Sequence, residues 1–265
     1  GCGDYYVGTP WQVDYYRCRA CGLLQQFPVP ADVAPYYERY PVHSRKSALY
    51  SALRRLVMSS VYYDLLRQPR GAVLLDYGCG DGGYLEQYRG QGYTLLGYEK
   101  SPAQAALVAD RLGLPVYANR EALLREREGA VDVLTMHFTL EHLTDLDAAF
   151  RDAHALLRTG GVFYYVVPHA SSLEASLFGK KWHNLDPPRH ISFPDGDAAR
   201  RLADRHGFTV SAAHPVAFPN GFAASLPVVL TGRFRLPLFA LFLPLGIVFS
   251  RLIPTGSRAY HLVKS

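Results

Sequence analysis

The chain has 265 residues, of which 49% are hydrophobic and 19% charged, a balance that excludes a disordered or fibrous protein and leaves room for a full α/β core. Its formal charge of +5 comes without any long run of Lys and Arg, so nucleic acid is not an expected partner. Four cysteines are too few for a disulfide scaffold of this size, and with no signal-peptide pattern at the start the expected compartment is cytoplasmic.

Residues 1–34 open with Cys2-Gly3 and continue to Cys18-Arg19-Ala20-Cys21-Gly22. A C-x-x-C-G knuckle is half of a zinc ribbon, because two thiolates on a glycine turn can occupy adjacent corners of a tetrahedron. Cys2-Gly3 reads as the tail of a second knuckle whose first cysteine would lie before Gly1. The segment resembles the N-terminal zinc ribbon found in front of many bacterial methyltransferases of glycan and natural-product clusters. Cys2, Cys18 and Cys21 are then the zinc ligands implied; metal-free surface thiols are the other reading, since three ligands make a poor structural site.

Residues 35–70 are rich in Tyr and Arg. Leu49, Leu53, Leu56, Val57, Val61 and Leu65 recur at helical spacing and predict an amphipathic helix. Tyr36, Tyr37 and Tyr40 either line a helical lid or pack that helix onto the next domain.

The domain spanning 71–265 begins with Val73-Leu74-Leu75-Asp76, an apolar run that predicts a strand buried on both faces. A turn carrying Gly78, Gly80, Gly82 and Gly83 follows, where glycine lets the backbone bend sharply and lets a ligand approach without meeting a Cβ. A short helix comes next, and then a second strand over 94–99 that ends in Glu99, an acid placed to bind ribose hydroxyls. Strands are predicted further on over 115–118, 131–138, 162–167, from 207, and over 257–264, with helices over 102–112, 120–128, 145–157 and 195–206. The alternation is that of a doubly wound sheet, whose ligands lie beyond the carboxyl ends of its strands. Asp76, Glu99, Asn119, His137 and Pro168 fall on that rim.

The glycine spacing is G-x-G-x-G with Asp76 just before it, and a Leu-Leu-Arg-Thr-Gly-Gly turn precedes the fifth strand. Together these resemble the class I S-adenosylmethionine-dependent methyltransferases. The resemblance implies a Rossmann-like seven-stranded, mostly parallel sheet of order 3-2-1-4-5-7-6. It also implies S-adenosylmethionine as cofactor, held by Asp76, Gly78, Gly80, Asp81, Glu99, Lys100, Asn119 and His137. The Leu140-Glu141-His142-Leu143 run resembles that of quinone-type O-methyltransferases, in some of which an acid three residues before the Glu helps bind a metal. Phe138 stands there, so no metal is carried over. His137 is the expected donor-facing residue and, with His190, a candidate catalytic residue, and Glu141 and His142 are expected mainly to fix their loop.

Past the fifth strand lies Lys181-Trp182-His183-Asn184-Leu185-Asp186-Pro187-Pro188-Arg189-His190, similar to the W-x-x-L-D-P-P-R-H segment of a bacterial methyltransferase subgroup. Trp182, Arg189 and His190 are the candidate acceptor-binding groups, and His190, as a residue titrating near neutrality, is a candidate general base. Capping of the following helix is its alternative role.

Between the last two strands, about 220–254, sits a hydrophobic insertion. Its uncharged core over 236–250 is too short to span a bilayer and is interrupted by Pro237 and Pro244. It reads as a buried lid or homodimer surface, or as an interfacial patch on a membrane flanked by arginines. The expected activity is methyl transfer, on oxygen, to a small-molecule, sugar or lipid-linked acceptor. The rivals are a degenerate methyltransferase fold without turnover and a nicotinamide-dependent oxidoreductase, which the glycine spacing disfavours.

Overall fold

A computed structural model describes residues 1–37, 70–253 and 256–265. The helix expected from Leu49 to Leu65, and Tyr40, lie outside the described residues. In chain order the elements begin with β1 (Cys2–Gly3), β2 (Gln12–Arg17), β3 (Leu24–Phe27) and α1 (Ala34–Tyr37). The alternating part runs β4 (Val73–Tyr77), α2 (Gly83–Tyr88), β5 (Thr94–Tyr98), α3 (Pro102–Leu112), β6 (Val116–Tyr117), α4 (Arg120–Arg127) and β7 (Val131–His137). It continues with α5 (Leu146–Leu156), β8 (Leu157–Pro168), α6 (Leu173–Phe178), β9 (Ser192–Phe193) and α7 (Gly196–Arg205). The chain closes with β10 (Phe208–Ala217), α8 (Asn220–Thr231), α9 (Leu236–Leu252) and β11 (Gly256–Lys264).

Seven strands form the main sheet in the order β10-β11-β8-β7-β4-β5-β6. The five strands from β6 to β8 are parallel; β11 returns antiparallel to β8, and β10 antiparallel to β11. Counting the seven in chain order gives 3-2-1-4-5-7-6, as the resemblance implied. The central strands read as continuous apolar runs because both faces are covered: Leu74, Leu75, Val133 and Leu134 are fully buried, in clusters on opposite sides of the sheet. Side-chain caps from Ser101, Asn119 and Asp145 start α3, α4 and α5, which fixes where each helix leaves the rim.

A second sheet, β1-β2-β3-β9, joins the N-terminal segment to the loop after β8: Leu24 pairs with Phe193 and Gln25 with Ser192. Cys2, Trp182, Leu185 and Phe193 share a buried cluster at this junction. The insertion forms a helical hairpin. Gly246 of α9 meets α8 so closely that a Cβ there would lie 2.9 Å from the Ala223 Cβ, and Phe222 stacks on Phe249 at 4.0 Å.

Candidate active site

The donor side is built by local sequence. Gly78 and Cys79 both donate backbone N–H bonds to the Tyr98 carbonyl, at 2.8 and 2.9 Å, so the glycine turn is tied to the end of β5. Gly78 has φ 82°, and a Cβ on it would sit 2.5 Å from the Thr139 methyl, so this position accepts only glycine. Gly80 has φ 55° with open space where a Cβ would be. Glu99 braces the turn from the next strand: its carboxylate accepts from the Gly80 amide at 3.1 Å and from the Ser101 amide at 2.9 Å. Each oxygen keeps a second lone pair.

Asp76, the last residue but one of β4, is almost fully buried. Thr135 donates to its Oδ1 at 2.9 Å, and Oδ2 has no hydrogen-bond partner among the described residues. Burial pushes its pKa up to about 7, the Thr135 bond working against that shift. A buried carboxylate oxygen without a donor beside an open glycine turn suits a cationic ligand group. The Asp81 carboxylate accepts from the Gly83 amide at 3.2 Å. Lys100 is exposed. Asn119 is exposed as well, and its Oδ1 caps α4 through the Ala122 amide at 2.7 Å; any contact with a base edge would fall to its Nδ2.

His137, expected to face the donor, stands among aromatic rings. Tyr84 stacks on it at 3.9 Å and 11°, the Tyr88 hydroxyl lies 3.0 Å from its Nε2, and Tyr164 meets it edge-on. Burial lowers its pKa to about 3.

The segments expected to meet the acceptor are brought together from distant parts of the chain. Arg189, an expected acceptor-binding cation, has its guanidinium buried between two carboxylates. Nη1 and Nη2 each donate at 2.9 Å to the two oxygens of Asp4, while Nε and Nη2 donate to Asp186 at 2.9 and 2.6 Å. Burial by itself would raise both carboxyls; the guanidinium overrides it, holding Asp4 down at about 2 and Asp186 below its ordinary value. Trp182 is corrected in the same way: it is packed with Cys2, Leu185 and Phe193 and donates from Nε1 to the buried Glu174 at 2.6 Å. Both side chains are tied into the loop by these partners.

His190 does not cap α7. Its Nδ1 lies 2.7 Å from the Asn184 carbonyl, and its ring stands edge-on to His142 at 4.6 Å. The sequence expectation that it titrates near neutrality also fails: burial, reinforced by neighbouring His142, takes it down to about 3. His142 is held by the Tyr37 hydroxyl at 2.8 Å and by the Arg189 carbonyl at 3.1 Å, which fits its expected loop-fixing role. Glu141 fits it only through its backbone, which accepts from Ile191. Its carboxylate is fully buried with no hydrogen-bond partner among the described residues, and burial raises its pKa well above the ordinary range.

Ligand atoms of Glu141, His142 and His190 all lie within 4.8 Å of one another. Two neutral imidazoles and a carboxylate can pass a proton or hold a divalent cation. Sequence reading missed this grouping, and it missed Asp4, because the partners are far apart in the chain and no local pattern marks them. Phe138, which heads the turn into Glu141, has φ 52°, a conformation rare for a bulky residue.

The three cysteines do not converge. Cys2 is buried opposite Val13, whereas Cys18 and Cys21 sit past the far end of β2, about five strand residues or roughly 16 Å away. Cys18 is exposed, and the amides of Cys21 and Ala20 lower its thiol pKa; burial raises that of Cys2.

This is a doubly wound α/β domain with a glycine turn and paired acids at the tips of adjacent central strands. The methyltransferase-domain family model matches residues 47–213, and the chain belongs to that family. It is 24% identical over 219 residues to the C-methyltransferase NovU of Streptomyces niveus, covering 80% of this chain and 50% of that protein. Over 103 residues it is 34% identical to the ubiquinone biosynthesis O-methyltransferase of Paramagnetospirillum magneticum, covering 37% of this chain and 41% of that one. The chain thus spans about half the length of the curated relatives it matches. Among solved structures, the geranyl diphosphate C-methyltransferase of Streptomyces coelicolor A3(2), in complex with Mg2+, geranyl diphosphate and S-adenosyl-L-homocysteine, shares the fold. Its TM-score is 0.53 at 16% identity, over 82% of this chain and 80% of that one.

Proposed function

We propose that the protein transfers a methyl group from S-adenosylmethionine to an oxygen of a small-molecule, sugar or lipid-linked acceptor. The observation that supports this reading is that the Asp76–Gly80–Glu99 turn and the loop carrying Glu141 and His142, which groups with His190, follow the ends of the paired strands β4 and β7, with the Thr139 methyl packed against Gly78. The residues fit the donor. Asp76 Oδ2 is a buried acceptor suited to its ammonium, Gly80 leaves room for close approach, and Glu99 has lone pairs for the two ribose hydroxyls. When bound, the donor supplies an electrophilic methyl on sulfur.

The chain's own part is alignment, exclusion of water and proton removal. Held by Asp76, Gly80 and Glu99, the donor would give its methyl carbon to the acceptor oxygen, with its sulfur keeping the electron pair of the broken carbon–sulfur bond. The neutral His190 Nε2 receives the hydroxyl proton. A base with a pKa near 3 is weak toward a free alcohol, yet strong enough once transfer has placed positive charge on the oxygen. Calorimetric titration with S-adenosylmethionine, S-adenosylhomocysteine and NAD tests the donor: binding of NAD alone would overturn the reading. His190→Ala should lower turnover with donor affinity intact, and near-normal turnover would remove its role.

The unpartnered Glu141 carboxylate favours a second reading of the same group, with a divalent cation held by Glu141, His142 and His190. Metal titration of wild type against Glu141→Gln separates the two: a cation lost in the variant supports it, and no uptake excludes it.

A further inference from the structure

A surface helix normally turns polar residues to water; α9 does the reverse. Leu241, Leu245, Val248 and Leu252 form one exposed stripe along it at helical spacing, each between 52% and 76% exposed, and Leu230 at the end of α8 is 63% exposed. The opposite face of α9 is already used, with Leu243 and Gly246 buried against α8. Arginines bracket the stripe: Arg233 and Arg235 in the turn between the helices, Arg251 at the far end. Residues 205–265 contain no Asp or Glu at all. Among the described residues no helix is long and apolar enough to cross a membrane.

We infer that the α8–α9 hairpin is a docking surface for an anionic lipid bilayer, lying in the interface with its apolar stripe among the acyl chains and its arginines at the headgroups. An apolar face with cations at both ends and no acid is the pattern of an interfacial helix. Charge decides against a second copy of this chain on the same face. A two-fold pair of antiparallel α9 helices would set Arg233 and Arg235 beside Arg251 of the other copy, with no acid to separate them. The surface also connects to the candidate site. Ser225 of α8 accepts from the His183 amide at 2.8 Å, and Phe234 donates its amide to the Tyr5 carbonyl at 2.8 Å, so the hairpin sits against the loop that carries His190. Docking would bring that loop to the headgroup layer.

The test is flotation of the full chain with vesicles of phosphatidylcholine alone, and with vesicles containing phosphatidylglycerol, at low and high salt. Binding should be confined to the anionic vesicles and weaken at least tenfold when salt shortens the screening length to a few ångströms. Leu241→Asp with Val248→Asp should abolish it. Arg233→Gln with Arg235→Gln, which leaves the apolar stripe intact, should weaken it about tenfold or more. Circular dichroism verifies that each variant is folded, and the arginine pair keeps the test decisive if the aspartates unfold the hairpin. Absence of flotation with either vesicle would overturn the inference. So would a concentration-dependent dimer, seen by sedimentation, that the aspartate pair dissolves.

Discussion

The two halves of the rim are built in opposite ways. On the donor side, Asp76, the glycines and Glu99 lie within two dozen residues, and backbone hydrogen bonds between neighbouring strands hold them. On the acceptor side, His142, His190, Arg189 and Asp4 come from three segments, and a buried ion cluster holds them. Parts set by the backbone survive the loss of a side chain. Parts set by a buried charge network do not. Substitutions on the acceptor side should therefore act first on stability, and those on the donor side first on ligand affinity.

The largest effect is expected at Arg189. Arg189→Ala leaves the Asp4 and Asp186 carboxylates buried without their cation, which should cost about 3–5 kcal/mol in denaturant unfolding. If donor affinity fell while stability held, the contrast between the two sides would be broken. Asp76→Asn comes next. Burial raises the folded carboxyl from 3.8 to about 7, so between those values the folded state holds a proton that the unfolded state has released. Stability must fall as pH rises through that window. The Asn variant should lack this slope, matching wild type near the acid end of the window and melting higher than wild type above it. Its donor affinity should drop tenfold or more by calorimetry.

Glu99→Gln keeps one acceptor oxygen and replaces the other with a donor. Donor affinity should fall about tenfold, roughly 1.4 kcal/mol, with a small change in melting temperature. The smallest effect is expected for Asn119→Ala, which removes the α4 cap and should cost about 1 kcal/mol of stability. A much greater loss of donor affinity there would give Asn119 a binding role in addition to the cap.

This contrast also explains what could be read from the chain. The strand at Val73, the glycine spacing and the acid at Glu99 are local signals, and the sheet order follows from the alternation they begin. The W-x-x-L-D-P-P-R-H stretch was visible as a special loop, but the task of each residue within it was not. Trp182 and Arg189 have the chemistry of ligand-binding groups, and burial gives them other partners, Glu174 and Asp4, that no spacing rule connects to them. His190 has an ordinary imidazole pKa in isolation; only its enclosure by His142 and the loop removes its charge. The apolar stripe of α9 was legible as composition, yet which of its faces meets α8 is decided by Gly246 and Ala223 in three dimensions.

The clasp between Asp4 and Arg189, with the strand pairing of Leu24 and Phe193 beside it, joins positions 185 residues apart in the chain. For recombination with relatives, the exchangeable cassette is therefore discontinuous. A chimera that replaces only the 181–190 loop of this chain and keeps its N-terminal sheet would inherit mismatched halves of one lock, so both segments must be exchanged together for the fold to be kept.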